Sequence, residues 1–247
     1  MKNKELKRAA LASLEGNWSK YALLSLVYAL IIFAVVIIIS LAGIWLSGGN
    51  IGDNPLFNDD KASVPANNIV SIISNLILWP FIWSYTIIFL RHLRHRSDTE
   101  TSNLFDGYKQ YFRITLTLLF QGIYTFLWTL LLVIPGIIKH YSYSMTSYVL
   151  HDNPELKYDD AIDRSIKLMK GHKMKLFLLD LSFIGWILLG IITCGIGMLW
   201  VYPYWLTSHA AFYNDLLEEE AAKTAEREPF VTGVEIVAPE TPSAENN

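Results

Sequence analysis

Three ionisable residues lie inside runs of sequence that are otherwise apolar: Asp180 in KLFLLDLSF, His209 in YWLTSHAAFY and Lys139 in VIPGIIKHY. An ionisable group in a membrane-crossing segment is costly, and where one occurs it marks a proton or cation relay, a ligand site or a buried pair. Asp180 falls about 6–7 Å into its apolar run at 1.5 Å per residue. It can pair structurally, with Lys175 near the interface or with a donor on a neighbouring helix, or it can carry protons or cations with His209 as its partner. Lys139, next to His140 and Tyr141, suits a side chain snorkelling to the outer interface. The three residues belong to different helices, and nothing in their spacing brings them together.

Other chemistry is absent from the pattern. No phosphate-binding GxxxxGK[ST] loop, HExxH or GxSxG is present. His92 and His95 sit in RHLRHR without cysteine or carboxylate company, so no metal site is expected there. Glu218, Glu219 and Glu220 follow the last apolar run, which is no place for an intramembrane protease pair. No catalytic residue, cofactor, metal or nucleic-acid partner is expected, and the leading expectation is a non-enzymatic scaffold or accessory protein. A small-solute or ion transporter using Asp180, His209 and Lys139 is the alternative.

These residues need elements to position them. With 52% hydrophobic and 17% charged residues and a mean hydropathy of +0.30, the 247-residue chain is too apolar for an ordinary soluble domain. Its lone Cys194 can form no internal disulfide. Four runs have the length of a membrane span: residues 23–46, 69–90, 114–134 and 176–192. A continuous helix from Phe112 to Leu150 would be about 58 Å long, nearly twice the ~30 Å hydrocarbon core. Pro135-Gly136 therefore reads as a tight turn that creates a span at 136–150. Thr193 to Gly197 likewise separates a sixth span, 198–217. The expected fold is all-α, a polytopic bundle of six transmembrane helices in three hairpins, each preceded by a cytoplasmic amphipathic helix.

Basic residues set the orientation. Six spans place Lys2, Lys4, Lys7, Arg8, Lys20, Arg91, Arg94, Arg96, Lys109, Arg113 and the six from Lys157 to Lys175 on one side. Only Lys61 and Lys139 fall on the other, so both termini are expected in the cytoplasm. The outward loop, 47–68, is rich in Gly, Asn, Asp and Pro; the tail, 218–247, holds eight glutamates and reads as a helical extension followed by disorder. The tail reads as a solubilising end, with a protein-docking peptide around Phe230 to Val237 as the alternative.

LASLEGNWSKYALLSL (11–26) aligns with IKLMKGHKMKLFLLDL (166–181), pairing Gly16 with Gly171 and Lys20 with Lys175; NLFDGYKQYF offers Gly107 as a weaker third. Each glycine suits a left-handed helix break. A proline follows in each unit, Pro80, Pro135 and Pro203, near the second helix of the hairpin. On the amphipathic helix before Gly171, Ile162, Ile166 and Met169 share a face and Arg164, Lys167 and Lys170 point elsewhere. Such a helix suits the surface of a bilayer with anionic inner-leaflet lipid. Trp79, Trp83, Trp128, Trp186, Trp200, Tyr202, Tyr204 and Trp205 read as an interfacial belt.

GHKMKLFLLDLSFIGWILLG (171–190), CGIGMLWVYPYWLTSHAAFYNDL (194–216) and the opening ELKRAALASLEGNW (5–18) resemble the bacterial integral-membrane family known as domain of unknown function 975. The resemblance covers the chain from Lys4 to Leu217, and Met174 departs from the aromatic residue expected there. It implies a multi-pass bundle in the bacterial cytoplasmic membrane and carries no established activity.

Overall fold

The computed structural model describes residues 2–46, 64–95 and 101–227, and of residues 43–46, 64–73, 75 and 227 the backbone alone. Most of the outward loop, Arg96 and the tail from 228, including the Phe230–Val237 segment, lie outside the described residues. Among the described residues every regular element is helical. In chain order these are α1 (Asn3–Leu14), α2 (Trp18–Leu46), α3 (Val64–His95), a 3-10 helix (Thr101–Gln110), α4 (Tyr111–Leu131) and α5 (Val133–Tyr143). They continue as α6 (Thr146–Asp152), α7 (Tyr158–Leu168), α8 (Lys173–Leu181), α9 (Ile184–Ile192) and α10 (Met198–Arg227).

Two helices form the centre. Phe81, Tyr85, Ile87, Phe89 and Leu90 of α3 and Leu206, Ala210, Phe212, Tyr213 and Leu216 of α10 are all buried. Long apolar and aromatic side chains at successive helical turns give these two helices buried surface on several sides. Around them pack α1 and α2, then α6, while the α4–α5 pair is closed by α7. The α4–α5 reversal occurs at Leu132, whose backbone is extended (φ −160°, ψ 138°). It brings Gly136 against Thr129 so closely that a Cβ there would lie 2.4 Å from Thr129 Oγ1. Pro135 occupies the first turn of α5, where a missing N–H costs no hydrogen bond.

Among the described residues four stretches are long and apolar enough to cross a membrane: Trp18–Ala42, Leu76–His95, Thr101–Leu131 and Lys173–Ile192. The fourth and sixth expected spans are not among them. Residues 136–150 are split between α5 and α6 around Ser144, and α10, although long, carries Thr207, Ser208, His209, Asn214 and Asp215. The latter helix continues to Arg227, the helical extension expected of the tail.

The glycines divide by physical role. Gly16 (φ +79°) and Gly171 (φ +88°) both adopt the left-handed conformation between an amphipathic helix and an apolar one. Gly107 does not. It lies within the 3-10 helix, pressed on α3 so tightly that a Cβ would come 2.2 Å from the Pro80 carbonyl oxygen and 2.7 Å from Ser84 Oγ. Close approach, rather than a helix break, is what demands glycine at 107.

Pro80 and Pro203 lie inside α3 and α10, not at hairpin corners. Pro80 has no N–H for the carbonyl four residues back, Leu76. Tyr111 Oη donates to that carbonyl at 3.3 Å, and Tyr108 Oη donates to Ile77 O at 2.7 Å. The 3-10 helix, through Tyr108, and the first residue of α4, Tyr111, thus satisfy backbone acceptors around the proline.

The amphipathic helices differ from expectation in what covers them. Leu6, Ala10 and Leu14 of α1 are fully buried in the protein, as are Ala161, Ile162 and Met169 in and just after α7, with Ile166 half-buried. Their apolar faces meet other helices, and Lys167 and Lys170 remain exposed. Within the aromatic belt, Trp128, Trp186 and Trp200 are exposed, whereas Trp83 and Tyr204 are buried.

Candidate functional site

Asp180 is the penultimate residue of α8, and three side chains from two other helices converge on it. Its Oδ1 accepts from Trp205 Nε1 at 2.8 Å and lies 2.6 Å from His209 Nε2; its Oδ2 accepts from Tyr141 Oη at 3.2 Å. Trp205 and His209 stand four residues apart on α10 and so share one face. Their rings lie 4.2 Å apart between centroids, and that spacing aims both ring nitrogens at a single carboxylate oxygen. Tyr141 comes from α5, held edge-on against Phe177 of α8.

The cluster sits at the margin of the core. The His209 side chain is 9% exposed and that of Asp180 25%. With Asp180 ionised, His209 Nε2–H is the donor, and the carboxylate then has donors on both oxygens. Such a cluster can hold one negative charge in a largely apolar setting, and it can pass a proton between carboxylate and imidazole.

The two other expected contributors are elsewhere. Lys175 pairs with Asp215 at 2.7 Å instead of Asp180. Lys139 projects over Trp128, with Nζ 4.6 Å from the ring centroid, as a cation–π pair. The structure therefore joins Asp180 to His209 and leaves Lys139 apart from both. Lys7 of α1 anchors the end of α8, donating to Ser182 O at 3.2 Å and lying 4.3 Å over the Phe183 ring.

A second polar network has no counterpart among the expected site residues. Arg94 of α3 grips Asp152 of α6 with two hydrogen bonds, 2.7 and 2.8 Å. Tyr213 Oη donates to the same carboxylate at 3.0 Å, and Arg94 Nε donates to Asn214 Oδ1 at 3.0 Å. His151 links this pair to the next: its Nε2 accepts from Arg91 Nε at 3.2 Å, which leaves Nδ1–H to donate to Asp152 at 3.0 Å. Arg91 then reaches Asp106 at 2.6 Å, and Lys109 reaches the other Asp106 oxygen at 2.8 Å. Burial opposes ionisation of Asp152, but the hydrogen bonds from His151, Arg94 and Tyr213 outweigh it and hold the carboxyl well below its ordinary range. The sequence signal was the three-residue spacing of Arg91 and Arg94, which puts both on one helix face; the fold sets that face against His151 and Asp152.

Smaller joints complete the frame. Arg113 donates to the Leu150, Asn153 and Leu156 carbonyls, closing the C-terminal end of α6. Buried His92 lies 2.7 Å from Ser13 O through Nε2, tying the end of α1 to α3. Arg164 pairs with Glu220, binding α7 to the far end of α10. Among the described residues, no group of three or more His, Cys, Asp or Glu is arranged to hold a metal ion.

Residues 129–220 match the model of a family described as Protein of unknown function (DUF975). The match runs from the end of α4 to Glu220, so it includes Tyr141, His151, Asp152, Asp180, Trp205 and His209 but not the 5–18 segment of the resemblance. No curated protein and no solved structure matches the chain.

Proposed function

From a chain whose residues 129–220 carry a DUF975 domain, we propose an integral membrane protein that acts as a non-enzymatic scaffold or accessory component. One observation carries the membrane part: large apolar side chains lie exposed in three zones. These run along α2 from Leu23 to Leu41, around the α4–α5 turn from Ile123 to Ile138, and around the α9–α10 turn from Ile184 to Trp200. A soluble monomer rarely exposes contiguous apolar patches beyond a few hundred Å². Hydrocarbon chains are the natural cover for them. The fit to a scaffold comes from Asp180, whose two carboxylate oxygens are already engaged by three side chains of the same chain.

The topology proposed is six crossings in one domain, 1–217, with both termini and the acidic 218–247 tail in the cytoplasm of a bacterial cell. Its support is the one-sided distribution of lysine and arginine. The basic faces that include Lys167 and Lys170 then meet anionic inner-leaflet lipid. Two experiments test this reading. The chain is expected to stay in membranes through an alkaline carbonate wash. With Cys194, which this topology puts outside, replaced by serine, a cysteine introduced at Asp60 is expected to react with an impermeant label in intact cells while one at Ser102 does not; the reverse pattern overturns the topology.

A second reading, a proton or cation pathway, is favoured by the 2.6 Å contact of Asp180 and His209 and by the partial exposure of the carboxylate. Its test is ion flux into liposomes holding the purified chain. Flux that Asp180→Asn and His209→Ala both abolish supports the pathway, and flux that neither changes removes these residues from it.

A further inference from the structure

A recess of about 240 Å³ opens beside the end of α3, lined by Trp83, Arg91, Asp106, Lys109, Gln110 and His151 among others. At ~30 Å³ per water this is room for about eight water molecules, enough for a hydrated phosphate and too little for a whole lipid. Arg91 and Lys109 each hold one oxygen of Asp106, so two fixed cations face one carboxylate. Lys109 keeps further N–H groups for another acceptor, since its side chain is 79% exposed and an ammonium carries three donors. Arg113 adds positive potential through Gln110: its Nη1 donates to Gln110 Oε1 at 2.6 Å, and its other bonds go to backbone carbonyls. An oxyanion with several acceptor oxygens complements these groups.

The surroundings point to where the anion comes from. Phe105 and Tyr108, which neighbour Asp106 and Lys109 along the 3-10 helix, and Phe112 at the start of α4 are exposed. Leu76–His95 and Thr101–Leu131, which supply Arg91 and Lys109, are stretches apolar enough to cross a membrane. Exposed aromatic rings next to cations at the end of apolar helices are the composition of the headgroup boundary.

We propose that this recess binds the phosphate of an anionic phospholipid, with the acyl chains lying along α4. The assignment rests on the membrane reading above. The shared chemistry is a phosphate held by Arg91 and Lys109, and the lipid, not free phosphate, is its source.

The test is calorimetric titration of the full chain in a neutral detergent with three probes: dihexanoyl phosphatidylglycerol, dihexanoyl phosphatidylcholine and inorganic phosphate. Phosphatidylglycerol is expected to bind at least five-fold tighter than either of the others. Lys109→Gln is expected to weaken it about five-fold, the equivalent of about 1 kcal/mol per basic residue near a charged surface. Lys109→Arg is expected to retain binding, which separates loss of charge from loss of fold. Equal binding of the two lipids, or no effect of Lys109→Gln, overturns the site. Inorganic phosphate binding as tightly as phosphatidylglycerol overturns the lipid assignment. Release of the chain by the carbonate wash is a separate result that removes the membrane reading itself.

Discussion

Replacing Asp180 tests the candidate site most directly. Hydrogen bonds to a charged acceptor contribute about 1.5–3 kcal/mol and neutral ones about 0.5–1.5 kcal/mol. Oδ1 has two ring nitrogens within 2.8 Å, so Asp180→Asn, which keeps the shape and removes the charge, is expected to cost about 2 kcal/mol, roughly 1 for each bond. Asp180→Ala goes further and leaves the Trp205 and His209 N–H groups without their acceptor. At about 1–3 kcal/mol for each stranded donor the loss is about 4 kcal/mol, moderated by water reaching the partly exposed site. The assay is unfolding of the purified chain in mixed micelles by increasing sodium dodecyl sulfate, followed by tryptophan emission. A double-mutant cycle with His209→Ala is expected to give a coupling energy of about 1–2 kcal/mol. The reasoning is refuted if Asp180→Asn lies within about 0.5 kcal/mol of the parent, the range of an ordinary surface change, or if the cycle shows no coupling.

Two glycines separate crowding from backbone strain. Gly107→Ala drives a Cβ to 2.2 Å from the Pro80 carbonyl and is expected to cost about 3 kcal/mol, the upper end for overpacking, with Asn worse than Ala. Gly171→Ala meets no atom within 4 Å but must hold φ at +88°, so about 1–2 kcal/mol is expected, partly recovered by Gly171→Asn, in the same unfolding assay. Equal rankings at the two positions contradict the assignment. Asp152 provides the pH dependence. Its carboxyl is held below the ordinary value of 3.8, so its stabilisation is fully present above that pH and is lost as pH falls below it. Unfolding curves from pH 7 to pH 3 are expected to show an acid loss that Asp152→Asn reduces; an unchanged acid slope excludes Asp152 as its source.

Helical class and the apolar runs were legible in the sequence because each is local. Hydrophobic length, a proline's missing N–H and a glycine's freedom to take positive φ act within a few residues, and Gly16 and Gly171 adopt the backbone that this reasoning expects. The same local reasoning placed Gly107 with them. There the demand for glycine comes from α3 across the interface, and no flanking residue records it. The sequence likewise singled out Asp180 and His209 by the cost of burying them, since that cost is a property of the residue type in an apolar run.

Which groups meet was decided by packing alone. Lys175 turned to Asp215, and Asp180 took its donors from α5 and α10, because helix rotation and crossing fix those distances. Arg91 and Arg94 show the same division. Their sequence marks them as basic residues at the end of an apolar run, and only the fold sets them against His151 and Asp152, residues some 60 positions further along the chain. The burial of the α1 and α7 apolar faces follows too, since an amphipathic helix is satisfied equally by lipid or by protein. The sequence alone determined that those faces would be covered, and the tertiary structure decided by what.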